Sequence, residues 1–214
     1  MKNYGESLAY WYFRLNGFIP MTDFVLHGDD RLKSSDCDLV AVRFPHVWEK
    51  VGGQDNDWHD LWVHDLQPEE GYTLATFVQV KTGKDDGNRA GELKEYFKKH
   101  LEYLVWRLGF WPKDVAQRVA RDFQETNQIK HKGYKLSKVV VLRDLRERRV
   151  EPQWFEWRLL DLVMFIEQRM VKYKPDKFES RMHFPDPLIQ LYAEQAMNQE
   201  FRFPTVDRPP LQLR

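Results

Sequence analysis

Three short apolar runs constrain this chain more than any other feature: DLVAVRF at 38–44, TLATFVQVK at 73–81 and KLSKVVVLRD at 135–144. Each reads as a β-strand. The run at 38–44 is nearly continuous in apolar residues, and the last run is very apolar in its middle, as expected when both faces of a sheet are covered. The second run carries an anomaly. Strand side chains alternate between faces. Leu74, Thr76, Val78 and Val80 then share one face, and Ala75, Phe77, Gln79 and Lys81 share the other. A buried lysine without a partner is expensive. A hydrophobic strand that ends with Gln79 and Lys81 on one face therefore implies something for them to meet.

The segments around these runs are mainly helical. GESLAYWYFRLNGF predicts a first helix, with Leu8, Trp11, Tyr12 and Leu15 on one stripe, a stop at Asn16-Gly17, and Phe18 as the apolar residue just past it. FIPMTDFVLHG reads as a strand and DDRLKSSDCD as a polar turn. GELKEYFKKHLEYLVWRLGF is a strong amphipathic helix with Leu93, Phe97, Leu101 and Leu104 on one face, and KDVAQRVARDFQETNQI reads as another helix. The remainder reads as helical over WFEWRLLDLVMFIEQRMVKY and DPLIQLYAEQAMN, before a Pro-rich, extended or loosely packed end. The order is helix, three strands, helix, strand, then helices. It predicts an α/β sandwich around a small mixed sheet. Residues 1–150 would form the core, with a long insertion at about 45–73, and residues 151–214 a helical extension. No internal repeat is present.

Composition narrows the function. The chain has 214 residues, enough for one domain with a real core. Its 33 Lys and Arg equal its 33 Asp and Glu, so a blanket electrostatic nucleic-acid binder is excluded and any such contact must come from local basic patches. Cys37 is the only cysteine, which excludes an internal disulfide and a cysteine-rich zinc site and favours a reducing compartment. The first residues lack a signal-peptide cleavage pattern, and no apolar run approaches the roughly 20 residues of a membrane span. The expectation is a soluble, cytoplasmic protein with no membrane partner.

Hydrophilic groups occur at three places where the core pattern does not want them: Glu6 in the opening turn of the first helix, Asp38 where it enters the second strand, and Gln79-x-Lys81 at the end of the third. If those strands pair, these groups meet at one sheet edge. Oxygen ligands from Asp38 and Gln79, with the backbone carbonyl of Val80, suit a hard divalent cation such as Mg²⁺, with Mn²⁺ as an alternative. Lys81 would orient or help deprotonate a water beside it. A bound cation lowers the pKa of water and stabilises charge on a phosphoryl oxygen, so the set describes a phosphodiester-hydrolysis site.

The series YGESLAYWYFRLNGF, SSDCDLVAV and FVQVKTGK resembles the PD-(D/E)XK nuclease superfamily, in particular its Holliday-junction-resolvase-like and Mrr-type restriction branches. Those share a first helix of the form GE…A…L…GF, an Asp opening an apolar strand, and a Glu- or Gln-x-Lys closing the next. The resemblance implies a restriction-endonuclease-like αβββαβ core. It matches Asp38 to the metal-binding Asp, Gln79 to the acidic or Gln position, Lys81 to the catalytic Lys and Glu6 to the first-helix Glu. It covers residues 4–84 by motif and the next helix and strand by order. Gln79 stands where an acid is commoner and Cys37 where Pro is commoner. A neutral amide offsets less cation charge, so Glu6 or Asp36 would have to compensate.

Each group also has a more ordinary reading. Acids near a helix N-terminus complement its dipole, which accounts for Glu6 equally well, and Asp36 reads first as a turn residue. His59, Asp60, His64 and Asp65 read as solvated polar residues around a packed Trp58/Trp62 pair before they read as a second metal site. Trp48, Trp58 and Trp62 pack an insertion or stack on unpaired bases. The basic stretches at 130–138 and 143–149 read as wet faces. Lys94 and Lys98, on the helix that borders the site in the resembled fold, are the better phosphate contacts. The expected function is a Mg²⁺-dependent nuclease acting on DNA, with RNA as a weaker substrate reading, in genome defence, restriction or repair. The alternative is a catalytically inactive nuclease fold serving as a nucleic-acid-binding or protein-assembly module. The C-terminal helices would serve a homodimer or a partner protein.

Overall fold

The computed structural model describes residues 3–26, 35–47, 61–68, 71–83, 88–147, 149–172 and 186–198. Its helices are α1 (Tyr4–Leu15), α2 (Arg89–Arg107), α3 (Lys113–Phe123), α4 (Leu159–Lys172) and α5 (Pro187–Asn198), with a 3-10 turn at Leu61–Leu66. Its strands are β1 (Ile19–Leu26), β2 (Ser35–Arg43), β3 (Thr73–Lys81), β4 (Gln128–His131), β5 (Tyr134–Leu142), β6 (Arg149–Val150) and β7 (Phe155–Arg158). The chain divides into two compact units, 1–166 and 167–214. The first holds the sheet. The second holds the end of α4 and all of α5, on which Ile189 and Ala193 are buried.

The sheet runs β1-β2-β3-β5-β7-β6. β1/β2 and β2/β3 are antiparallel, β3/β5 and β5/β7 are parallel, and β6/β7 is antiparallel. β4 pairs antiparallel with the first half of β5 (Gln128↔Ser137 to His131↔Tyr134), and β7 pairs with its second half (Val139↔Phe155 to Leu142↔Arg158). The α/β class and the mixed sheet are as the sequence predicts.

Both faces of the sheet are covered, which is why β3 and β5 are buried along almost their whole length. One face carries Val40, Ala75, Phe77, Leu136, Val140 and Leu142 against the apolar stripes of α2 and α3. On the other, Tyr12 and Phe13 of α1 pack on Trp157 and Phe165, with the Phe13 and Trp157 rings stacked at 5.8 Å and Tyr12 and Phe165 edge-on at 5.2 Å. The end of α1 is closed as expected. Gly17 at φ 79 lets the Phe18 N–H reach the Phe13 carbonyl and its own N–H reach Arg14, and the Phe18 ring packs on Phe13 at 5.1 Å.

Three local readings are corrected. Residues 154–158 are not the start of a helix. Phe155 and Trp157 are buried while Glu156 and Arg158 are half-buried, a period of two, and β7 takes the open flank of β5 beyond β4. The helix predicted over 113–129 stops at Phe123, and residues 128–131 form β4, joined to β5 by a two-residue turn with Lys132 and Gly133 both at positive φ. Asp36 lies in β2 opposite Val25, not in a turn.

The basic stretch at 130–138 is only partly a wet face. Lys135 and Lys138 are buried. Lys135 Nζ donates to the carbonyl and to Oε1 of Gln67, both at 3.1 Å. Lys138 Nζ donates to the Phe123 and Gln124 carbonyls at 2.9 and 3.0 Å, closing the C-terminus of α3, and lies over the Phe97 and Phe123 rings. Burial pushes the Lys138 ammonium down to about 8, against a smaller opposing pull from Glu125. Between that value and the unfolded lysine value of about 10.4, the unfolded chain holds a proton that the folded chain has released, so stability rises with pH across this window, and the gain is gone once pH has fallen to about 8. Urea melts between pH 8 and pH 10 should show a gain on the order of 2–3 kcal/mol relative to Lys138→Met, whose stability lacks this slope.

Candidate functional site

The site residues arise from the way three elements end. Asn3 caps α1, its Oδ1 accepting the Gly5 and Glu6 N–H groups at 2.8 and 3.1 Å, and its Nδ2 donates back to the Glu6 carboxylate at 2.7 Å. This is the reciprocal geometry of a capping box closed through the Asn side chain. Gly5 sets the first turn of α1 directly on the end of β3. A Cβ there would stand 2.5 Å from Thr82 Cγ2 and 3.0 Å from Val80 Cγ1. Gly5→Ala improves helix propensity by up to about 1 kcal/mol, yet the close approach forces a shift that outweighs it. The expected result is a net loss of about 1 kcal/mol in a denaturant melt, largely recovered in Gly5→Ala/Thr82→Ser, which removes the offending methyl.

β2 and β3 part at the same level. Their last ladder pair is Leu39↔Val78, and the next residue, Asp38, accepts the Val80 N–H on Oδ2 at 2.7 Å. The carboxylate thus fills the fork where the strands separate, in place of a backbone carbonyl. On β3, Lys81 Nζ donates to Gln79 Oε1 at 3.1 Å; Gln79 is buried and Lys81 half-buried. The Arg143 N–H donates to the Lys81 carbonyl at 3.1 Å, carrying the β3/β5 ladder one step past Lys81↔Leu142.

The carboxylates feel one another. Partial burial raises the Glu6 carboxyl above its ordinary value, Asp38 raises it further, the Asn3 hydrogen bond opposes this, and Asp23 adds a smaller upward push. Asp23 is the acid that sequence reasoning missed. It sits in mid-strand at φ 56, and the β1/β2 register steps from Thr22↔Leu39 to Phe24↔Cys37, leaving Asp23 opposite Asp38. Left-handed backbone in a non-glycine residue stores strain and collects at functional positions. The next pair, Phe24 and Cys37, packs on the core beneath α2. The one available signal was an Asp, poor in strands but tolerant of that conformation, inside IPMTDFVL.

Glu6, Asp38, Gln79, Val80 and Lys81 therefore lie at one end of β3. The donor set offers carboxylate and amide oxygens, the chemistry of a hard cation, and a carboxyl raised by a neighbouring carboxylate, as Glu6 is by Asp38, is what a cation relieves. Among the described residues no three His, Cys, Asp or Glu side chains form a ready metal cluster. Any cation here would rest on two carboxylates supplemented by Gln79 and backbone.

Lys94 and Lys98 are both exposed on α2; Lys94 lines a cavity beside the site and Lys98 does not. His64 is exposed. Asp65 is structural: its carboxylate accepts the Trp157 indole N–H at 3.0 Å and its carbonyl accepts Gln128 Nε2 at 2.8 Å. Trp48, Trp58, His59, Asp60 and the Trp62 side chain lie outside the described residues. Among the described residues no helix is long and apolar enough to cross a membrane. The chain matches no family model, no curated protein and no solved structure.

Proposed function

We propose that this chain is a metal-dependent nuclease with a restriction-endonuclease-like core of the PD-(D/E)XK kind, acting on DNA. One observation carries the reading: the Asp38 carboxylate, tied to the Val80 N–H, shares the end of β3 with the hydrogen-bonded Gln79–Lys81 pair and lies close enough to Glu6 to raise its pKa. The element order α1, β1, β2, β3, α2, β5, with α3 and the short β4 set between α2 and β5, and the antiparallel-then-parallel pairing of β3 support it.

Asp38, Gln79 and the Val80 carbonyl would hold Mg²⁺ or Mn²⁺, with Glu6 beside them. The cation, when bound, supplies an acidified water and neutralises charge on the phosphate. The remaining work falls to Lys81. Its ammonium hydrogen-bonds the attacking water and offsets charge developing on a phosphoryl oxygen. Gln79 holds Lys81 in place through Oε1. The Val80 N–H fixes the Asp38 carboxylate in one orientation.

The test is cleavage of single-stranded, double-stranded and branched DNA, and of RNA, with Mg²⁺, Mn²⁺ or chelator, beside Lys81→Ala and Asp38→Ala. Metal-dependent cutting lost in both variants supports the reading and names the substrate. No cutting of any substrate in either metal overturns it in favour of the inactive fold, a role consistent with Gln79 in place of an acid.

A further inference from the structure

A cavity of about 670 Å³ opens at the end of β5 next to β3, between the first turns of α2 and the segment joining β5 to β7. Its lining includes Leu142, the register partner of Lys81, and Trp154, whose ring is stacked on Phe97. Its rim carries Arg89, Lys94, Arg146 and Arg149. The Arg89 guanidinium donates to the Gly83 carbonyl at 2.8 Å, two residues past Lys81, so the rim is anchored to the site. The Arg146 carbonyl is held by Arg158 Nη1 at 3.0 Å, and Arg158 is in turn fixed on Asp161 at 2.8 Å. Among the described residues none of Lys94, Arg146 and Arg149 takes part in a salt bridge. Of the three acids in the wall, Asp144 is paired with Arg143 and Glu156 accepts the Trp154 indole N–H, each at 3.1 Å, and Glu151 is held through its backbone by the Trp154 carbonyl and Asn127 Nδ2, so the four cations outnumber the acids by one.

We infer that this cavity receives one unpaired nucleotide of the strand to be cut, with Lys94, Arg146 and Arg149 on its phosphates and the sugar and base over Leu142 and Trp154. The inference rests on the nuclease reading and adds a substrate class to it. The volume lies within the roughly 300–1,000 Å³ of pockets that enclose a small ligand. It admits a nucleotide and excludes a duplex, so the strand must enter single-stranded, frayed or with a nucleotide turned out of its stack. Four cations together with Leu93, Leu142, Leu145 and Trp154 in one lining match phosphate on the charged groups and base against the apolar ones. The formal charge of the chain is zero, so binding depends on this local cluster and not on a general attraction.

The experiment is fluorescence anisotropy of the full chain in chelator, with fluorescein-labelled dT12, the matching rU12 and a blunt duplex of equal length. Tighter binding of a single strand than of the duplex, by about tenfold or more, is expected. Arg146→Ala/Arg149→Ala should weaken it by about tenfold and lower the salt slope by about 0.7 for each phosphate no longer neutralised. Lys94→Ala, on a different element, should weaken it separately, and Arg118→Ala on the exposed side of α3 should not. Duplex bound as tightly as single strand, pocket variants that bind like the wild type, or no binding of any oligonucleotide overturns the inference. Because chelator removes chemistry, the two readings fail separately. Single-strand binding through the pocket without cutting in any metal sinks the nuclease. Cutting that is unchanged in the Arg146/Arg149 variant sinks the pocket.

Discussion

On the nuclease proposal, Lys81→Met should lower the rate of phosphodiester cleavage by about 10²–10⁴-fold while leaving the fold in place. Lys81 is half-buried at the end of β3, and among the described residues its ammonium has Gln79 Oε1 as a side-chain partner at 3.1 Å. Met keeps the apolar stem against the sheet and removes only the charge and the donor. The thermal midpoint should therefore move by only a few degrees, as for the loss of one modest hydrogen bond. Asp38→Asn separates the two roles of the neighbouring carboxylate. An amide oxygen still accepts the Val80 N–H, so the fork between β2 and β3 stays closed, yet the negative charge is gone. Activity should fall as far as in Lys81→Met, and raising Mg²⁺ should not restore it. A variant of either kind that cuts at the wild-type rate would show that catalysis, if present, lies elsewhere.

The largest effect on stability is expected at Trp157. It is fully buried on β7, stacked on Phe13, edge-on to Tyr12 and bonded through its indole N–H to Asp65. Trp157→Ala removes a large aromatic from a packed interface and should cost about 3–5 kcal/mol. The cost is raised further because the Asp65 carboxylate loses its donor. A domain of this kind has about 5–15 kcal/mol in all, so the variant should unfold at markedly lower urea. Trp157→Phe keeps a ring in the slot and loses the indole bond; it should cost about half as much. Equal losses in the two variants would mean that the hydrogen bond, and not the packing, dominates.

Trp157 also shows why part of this fold escapes a reading of the sequence. In WFEWRLLDLVMFIEQ, the alternation of β7 occupies four residues and runs straight into the apolar stripe of α4. Four residues do not distinguish a period of two from one of 3.6 when a strong helix follows. β4 is equally short and equally hidden behind α3. Both strands exist because β5 has a free flank, with β4 taking its first half and β7 its second, a non-local fact. The burial of Lys138 is illegible for the same reason. Its sequence neighbours look like a basic stretch, and only the C-terminus of α3, folded over it, supplies the carbonyls that make its burial tolerable.

What the sequence determined by itself was whatever depends on neighbours along the chain. The covered strands β2, β3 and β5 announce themselves by short, largely apolar runs, α1 by its stripe and its Asn16-Gly17-Phe18 ending, and α2 by Leu93, Phe97, Leu101 and Leu104. The anomaly of Gln79 and Lys81 on a buried strand pointed to a place where polar groups must find partners. Tertiary structure alone decided who those partners are. It set Asp38 in the fork against the Val80 N–H, turned Asp23 into a left-handed conformation across from it, seated Gly5 against Thr82 so that Glu6 stands near, and brought Arg146 and Arg149 round to a cavity that Leu142, the register partner of Lys81, also lines. Periodicity is a property of local backbone geometry and is written into adjacent residues. Coulombic and hydrogen-bonded neighbours come from strands and loops far apart in the chain, and their closeness exists only once the sheet has closed.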